Sequence, residues 1–117
     1  MQFLKFDTTT LPEPELGAPA PEKLIRGTPS FQSWTLDSPD DRTFAGYWRS
    51  TAGAWRATYD EWEYCTLVEG LAVVTEDGQP PVTLRPGDHM VFRPGFSGTW
   101  EIVEPVLKTF VVILPAI

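Results

Sequence analysis

From Phe31 onward the chain repeats one pattern: a run of four to nine residues, rich in β-branched and aromatic side chains, followed by a short polar turn. "FQSWTL", "TFAGYWRS", "AWRATY", "EYCTLVEG" and "LAVVTE" come first, then "VTLR", "MVFR", "TWEIV" and "VLKTFVVIL". The turns carry their own chemistry. Asp77-Gly78 in "DGQPP" is a hairpin corner, and "PGD" and "PGFSG" are proline-glycine turns. Asp60 to Trp62 reads as a bend between two strands. Strand runs at spacings of about ten residues predict an all-β sandwich or barrel. No window holds a helical period, and no internal repeat is long enough to matter.

The first thirty residues break the pattern. "MQFLKF" alternates weakly, as a short strand would, and residues 8–30 hold five prolines and few large apolar groups. Proline fixes φ and removes a donor, so this segment is an extended arm and not a helix. The expected organisation is an arm over residues 1–30 and a barrel over residues 31–117. Such an arm lies over its own domain or over a partner subunit. A small barrel leaves strand edges that need cover, so a homodimer is expected, with the arm suited to a partner's edge.

Length and charge narrow the function. The 117 residues fit one domain with a real core. A net charge of −7 at pH 7 repels phosphate backbones and anionic lipid, which argues against nucleic-acid and membrane partners. Cys65 is the one cysteine, so no internal disulfide or CxxC zinc spacing can form. "MQFLKF" lacks the apolar run of a signal peptide, and no stretch has the roughly 20 apolar residues of a membrane span. A cytoplasmic, reducing compartment is expected.

The order of these pieces resembles the cupin superfamily of jelly-roll barrels. Glu63 followed by six residues and Gly70 is similar to the second half of its first motif. "PGDHMVFRPGFSG" is similar to its second motif, with Gly87, Asp88 and Gly95 in place and Arg93 where the family has proline. "YDEWEYCTLVEG", "TEDG", "PGDHMVFRPGFSGTWE" and "LKTFVVI" resemble the small single-domain cupins related to ureidoglycine aminohydrolases. The likeness covers residues 43–113. It implies a jelly-roll barrel and a metal held by three histidines and a glutamate. Here the histidine positions fall on Ala57, Tyr59 and Gly98, and only Glu63 remains. His89, the one histidine, matches none of them. Imidazole is what holds iron, manganese or zinc well at neutral pH, so no metal and no other cofactor is expected.

Within that pattern the candidate site gathers around Glu63. The family places this carboxylate inward, and a buried carboxylate needs a partner or a raised pKa. Strand alternation sets Glu63, Cys65 and Leu67 on one face, with Tyr59 across the bend. Trp100 shares a face with Gly98, and Trp48 and Phe96 are further wall and rim candidates. Cys65 reads as a small buried hydrophobe before a nucleophile. Arg49, Arg56, Arg93 and Lys108 are possible partners of Glu63, although Lys108 in "VLKTFVV" is expected to face solvent. An unpaired Glu63 would have a raised pKa, and Glu63→Gln would then stabilise the protein at neutral pH.

The function expected first is binding of a small polar metabolite by Trp48, Tyr59, Glu63, Cys65, Phe96 and Trp100 without a metal. The second is an aminohydrolase- or isomerase-type enzyme with Glu63, Tyr59 and Lys108 as acid and base. The third is a structural or interaction module.

Overall fold

A computed structural model describes residues 1–116. After a three-residue strand β1 (Glu15–Gly17) and a single 3-10 turn (Pro21–Lys23), the chain runs through eight more strands. These are β2 (Leu24–Gly27), β3 (Phe31–Asp37), β4 (Thr43–Ser50), β5 (Gly53–Thr58), β6 (Trp62–Glu76), β7 (Val82–Leu84), β8 (His89–Phe92) and β9 (Ser97–Ile113). The fold is all-β and antiparallel, as expected. None of the described residues forms a helix long and apolar enough to cross a membrane.

Two long strands make one curled sheet into a barrel. The first half of β6 pairs the second half of β9, and the second half of β6 pairs the first half of β9. One wall of the barrel is therefore β1, β3, β4, β9, β6 and β8; the other is β2, β5, β9, β6 and β7. Sequence reading divides β6 at Gly70 and β9 at Glu104-Pro105, where the structure keeps each strand continuous. The ladder crosses the bend through register shifts between Leu67 and Ala72. Gly70 has φ 95°, and a Cβ there would stand 2.2 Å from the Pro105 carbonyl oxygen. Only glycine permits that backbone conformation and that approach. Asp77-Gly78 forms the β6–β7 hairpin corner, with Gly78 at φ 80°.

Between the walls lies a core of Trp55, Cys65, Leu67, Ala72, Phe92, Trp100, Ile102 and Val106 with their neighbours. A smaller cluster of Trp34, Tyr47 and Leu107 sits beneath the N-terminal segment, with Phe6 and Leu11 packed on it. "MQFLKF" is not a strand. The Trp34 indole Nε1 donates to the Pro12 carbonyl at 2.7 Å, and Phe6 meets Tyr47 edge-on, so hydrophobic packing holds this segment without a ladder. The arm lies on its own chain: β1 pairs β3, and β2 pairs β5.

Candidate functional site

The site is built where β4, β6 and β9 turn one face inward beside the opposite wall. Residues directly opposed across an antiparallel ladder share a face. The register pairs Glu63 with Val112, Cys65 with Phe110, Leu67 with Lys108, and Lys108 with Trp48. Lys108 therefore points into the barrel, which corrects the expectation that it faces solvent. Its Nζ donates to Glu63 Oε2 at 2.9 Å, and both residues are buried. The four-carbon stem suits the apolar strand that carries it, while the ammonium lies over two indoles, 4.7 Å from the Trp48 ring centre and 4.9 Å from that of Trp100. Such contacts contribute about 0.5–2 kcal/mol each.

Of the four cations considered, Lys108 is the one that reaches Glu63. Arg56 makes a two-pronged pair with Asp77 at 2.7 and 2.8 Å, and Arg49 lies 3.8 Å from Glu69. The pairing reverses the expected pKa of Glu63. Burial pushes it up, but the Lys108 charge and hydrogen bonds from Cys65 and Lys108 outweigh that, and the carboxyl lies below its ordinary value. Burial likewise pushes Lys108 down, yet the Glu63 charge, with smaller contributions from Cys65 and Tyr59, raises it overall. The pair is ionised at neutral pH.

Tyr59 hangs at the end of β5, held by the "PGFSG" turn. Its N–H donates to the Phe96 carbonyl at 3.0 Å, and the Gly95 N–H donates to its carbonyl at 2.8 Å. The Phe96 ring stacks on the Tyr59 ring with centres 5.3 Å apart. The phenol oxygen accepts from Trp100 Nε1 at 2.8 Å. Burial raises its pKa to about 12. Cys65 lies fully buried beneath Glu63, donating to Oε2 at 2.9 Å, and burial raises its thiol to about 12 as well.

These groups border an open pocket of about 360 Å³. Trp48, Tyr59, Glu63, Trp100 and Lys108 line it together. Two expected wall residues do not. Cys65 stays below the floor because its small side chain is covered in the core. Phe96 faces a different hollow of about 400 Å³ beside Leu84 and Phe92, because the turn that holds Tyr59 aims the Phe96 ring away from the pocket. Sequence reasoning missed Trp55, Phe31, Phe110 and Lys23, which also line the pocket. Alternation on β5 places Trp55 on the same face as Ala57, and alternation on β9 places Phe110 with Lys108. Phe31 and Lys23 arrive through long-range pairing of β3 and the arm, which no local pattern reveals. His89 stands on the outer face, where its Nδ1 meets the hydroxyls of Tyr64 at 2.7 Å and Thr66 at 2.9 Å.

The residues present do not fit a transition metal. Glu63 faces an ammonium and two groups that keep their protons, and a cation there would meet the Lys108 charge. Ala57 and Gly98 oppose each other in the ladder and bring no donor side chain. A Cβ on Gly98 would lie 2.3 Å from the Thr75 carbonyl oxygen, so no larger residue fits without a shift. Among the described residues no three metal-ligating side chains gather.

A curled antiparallel barrel with one glutamate turned inward on β6 and a glycine at the crossing of its two long strands defines a cupin. The family model of the EutQ-like cupin domain matches residues 37–110, well over half of the chain, and the chain belongs to that family. No curated protein sequence matches it. Among solved structures, a protein with unknown function from Pseudomonas syringae pv. tomato superposes with a TM-score of 0.79 at 25% identity, over 91% of this chain and 46% of that one. EutQ of Clostridium difficile gives 0.64 at 14% identity, over 73% and 63%. A putative ethanolamine utilization protein Q of Salmonella typhimurium gives 0.64 at 17% identity, over 89% and 97%. The chain spans about half the length of the first and under two thirds of the second. The two EutQ likenesses speak for the fold alone.

Proposed function

We propose that this cupin binds a small polar metabolite in the pocket above Glu63 and Lys108, without a transition metal and without chemistry of its own. The observation that carries the reading is the pre-formed ion pair under an aromatic-walled pocket. General acid–base catalysis works best with pKa values near the operating pH. Here Lys108 is raised, Glu63 is lowered and Tyr59 stands at about 12, so none is poised to exchange a proton at neutral pH. That disfavours the reading in which these three residues act as acid and base. The open pocket disfavours a purely structural module. A cytoplasmic homodimer that takes neither nucleic acid nor membrane as partner belongs to the same proposal. The sequence resemblance to ureidoglycine aminohydrolase cupins makes small nitrogenous and carbonyl metabolites the first compounds to try.

A ligand that binds only the folded state raises the melting temperature. A metabolite library read by thermal shift is expected to yield compounds that stabilise the wild-type chain and lose their effect in Trp48→Ala. A library with no stabilising compound, or one whose hits ignore Trp48→Ala, overturns the reading.

A further inference from the structure

Two polar groups at the floor of the pocket, Glu63 and Tyr59, differ in kind. Glu63 Oε2 accepts from both Lys108 Nζ and Cys65 Sγ, each at 2.9 Å, whereas Oε1 accepts from no described residue. No sealed side-chain oxygen or nitrogen lacks a partner among the described residues, so Oε1 opens onto the pocket that Glu63 lines. The Tyr59 oxygen accepts from Trp100 Nε1, and its own O–H has no described acceptor. At its raised pKa of about 12 the phenol keeps that proton at neutral pH. The pocket floor thus offers one carboxylate acceptor and one phenol donor, while the Ser33 and Thr58 hydroxyls line the pocket beside them.

Its floor carries no net charge. The Lys108 ammonium is matched by Glu63 and covered by the Trp48 and Trp100 faces. A charged ligand would lose hydration with no free counter-ion at the floor. Lys23 at the mouth is exposed, where solvent screens it, and Arg56 is engaged by Asp77. The walls are flat rings: Trp48, Trp55 and Trp100 stand with centres 6.2 to 6.4 Å apart, and Phe31 packs 4.9 Å from two of them. Aromatic walls favour a flat, π-faced body.

Building on the binding reading above, we infer that the pocket selects a neutral, planar molecule that carries a carbonyl acceptor beside an N–H donor, the pattern of a carboxamide. The carbonyl takes the Tyr59 proton, and the N–H gives its proton to Glu63 Oε1. Leaving either group unmet beneath a bound ligand costs affinity.

Four probes of one shape test this: benzamide, benzoate, benzamidine and toluene. Each is titrated into the full-length ¹⁵N-labelled chain while the tryptophan indole N–H signals are followed. Benzamide is expected to move the Trp48, Trp55 and Trp100 signals and to bind about tenfold tighter than the other three, the worth of one net hydrogen bond. Tyr59→Phe is expected to remove about that tenfold advantage and leave toluene unchanged, with the dispersion of the spectrum reporting that the fold is intact. Benzoate or benzamidine binding as tightly as benzamide means a charged ligand, and overturns the inference while the binding reading stands. Toluene equal to benzamide also overturns it, because the polar groups are then idle. Silence with all four probes overturns the inference too, and the library screen then decides separately whether the binding reading survives.

Discussion

Glu63 and Lys108 are each costly to bury alone, and the contact between them decides how the site responds to substitution. Removing one partner of a buried pair strands the other charge, at about 3–5 kcal/mol. Glu63→Gln is therefore expected to destabilise the protein by about that amount at pH 7. This is the opposite of the outcome expected for an unpaired Glu63. The pH dependence follows from the direction of each shift. The carboxyl lies below its ordinary 4.5, so its stabilisation is present above that value and is lost as pH falls through the folded value. The ammonium lies above its ordinary 10.5, so its share is present below that value and is lost as pH rises through the folded one. Denaturant melts should show the Gln variant weakest relative to wild type across the plateau between these limits, with the gap closing in acid. Adding Lys108→Met should recover part of the loss, because it removes the ammonium that Glu63→Gln leaves stranded. A Gln variant as stable as wild type at pH 7 would refute the pairing. Cys65 gives a second check. With its thiol buried and raised to about 12, it should resist a thiol reagent in the native state and react fully once unfolded.

The strand runs were legible because alternation and turn residues are local signals. β3 and β4 fall on the runs "FQSWTL" and "TFAGYWRS" to within a residue, and the Asp77-Gly78 corner is where the dipeptide places it. The inward face of Glu63, Cys65 and Leu67 was legible for the same reason. The continuity of β6 and β9 was not, since Gly70 and Pro105 look like strand breakers until they are seen to pack on each other. Nor was the direction of Lys108, because an apolar strand with one lysine reads alike whether the lysine faces water or a buried acid. The crossing carries a prediction. Gly70→Ala forces a left-handed residue against the Pro105 carbonyl, and urea melts should show a loss of at least about 1–3 kcal/mol. Gly98 carries another. Restoring histidine at positions 57, 59 and 98 should not restore a metal centre, because the Gly98→His side chain has to displace the Thr75 carbonyl and Lys108 still neutralises Glu63. Elemental analysis of the wild type and the triple variant should find far less than one transition metal per chain. A stoichiometric metal lost on Glu63→Ala would refute the account.

At the scale of the whole molecule, the arm and the open strand edges bear on assembly. The arm begins over Trp34 and Tyr47, supplies β1 to the edge of β3, sets Lys23 at the pocket mouth and ends as β2 on the edge of β5. It thus occupies edges of its own barrel, which leaves other edges in need of cover. β7 and β8 each pair only β6 among the described residues. Val91 on β8 is 48% exposed, and Tyr64 and Val68 on the neighbouring outer face of β6 are also exposed. An open strand edge flanked by apolar side chains recruits another strand unless it is blocked by charge, proline or a partner. The homodimer expected from the sequence is therefore better sought at β8 than at the arm. Light scattering at micromolar concentration should return twice the 13.1 kDa chain mass. Val91→Lys places a charge at that edge and should return a single chain with the ligand-induced thermal shift intact, since Val91 lies on the far side of β8 from the Glu63 pocket. Deleting residues 1–28 should lower the melting temperature by baring β3 and β5, yet leave the mass doubled. A wild-type mass near 13.1 kDa would refute the dimer. A dimer that survives Val91→Lys but falls apart without the arm would return the interface to the arm and a partner's edge.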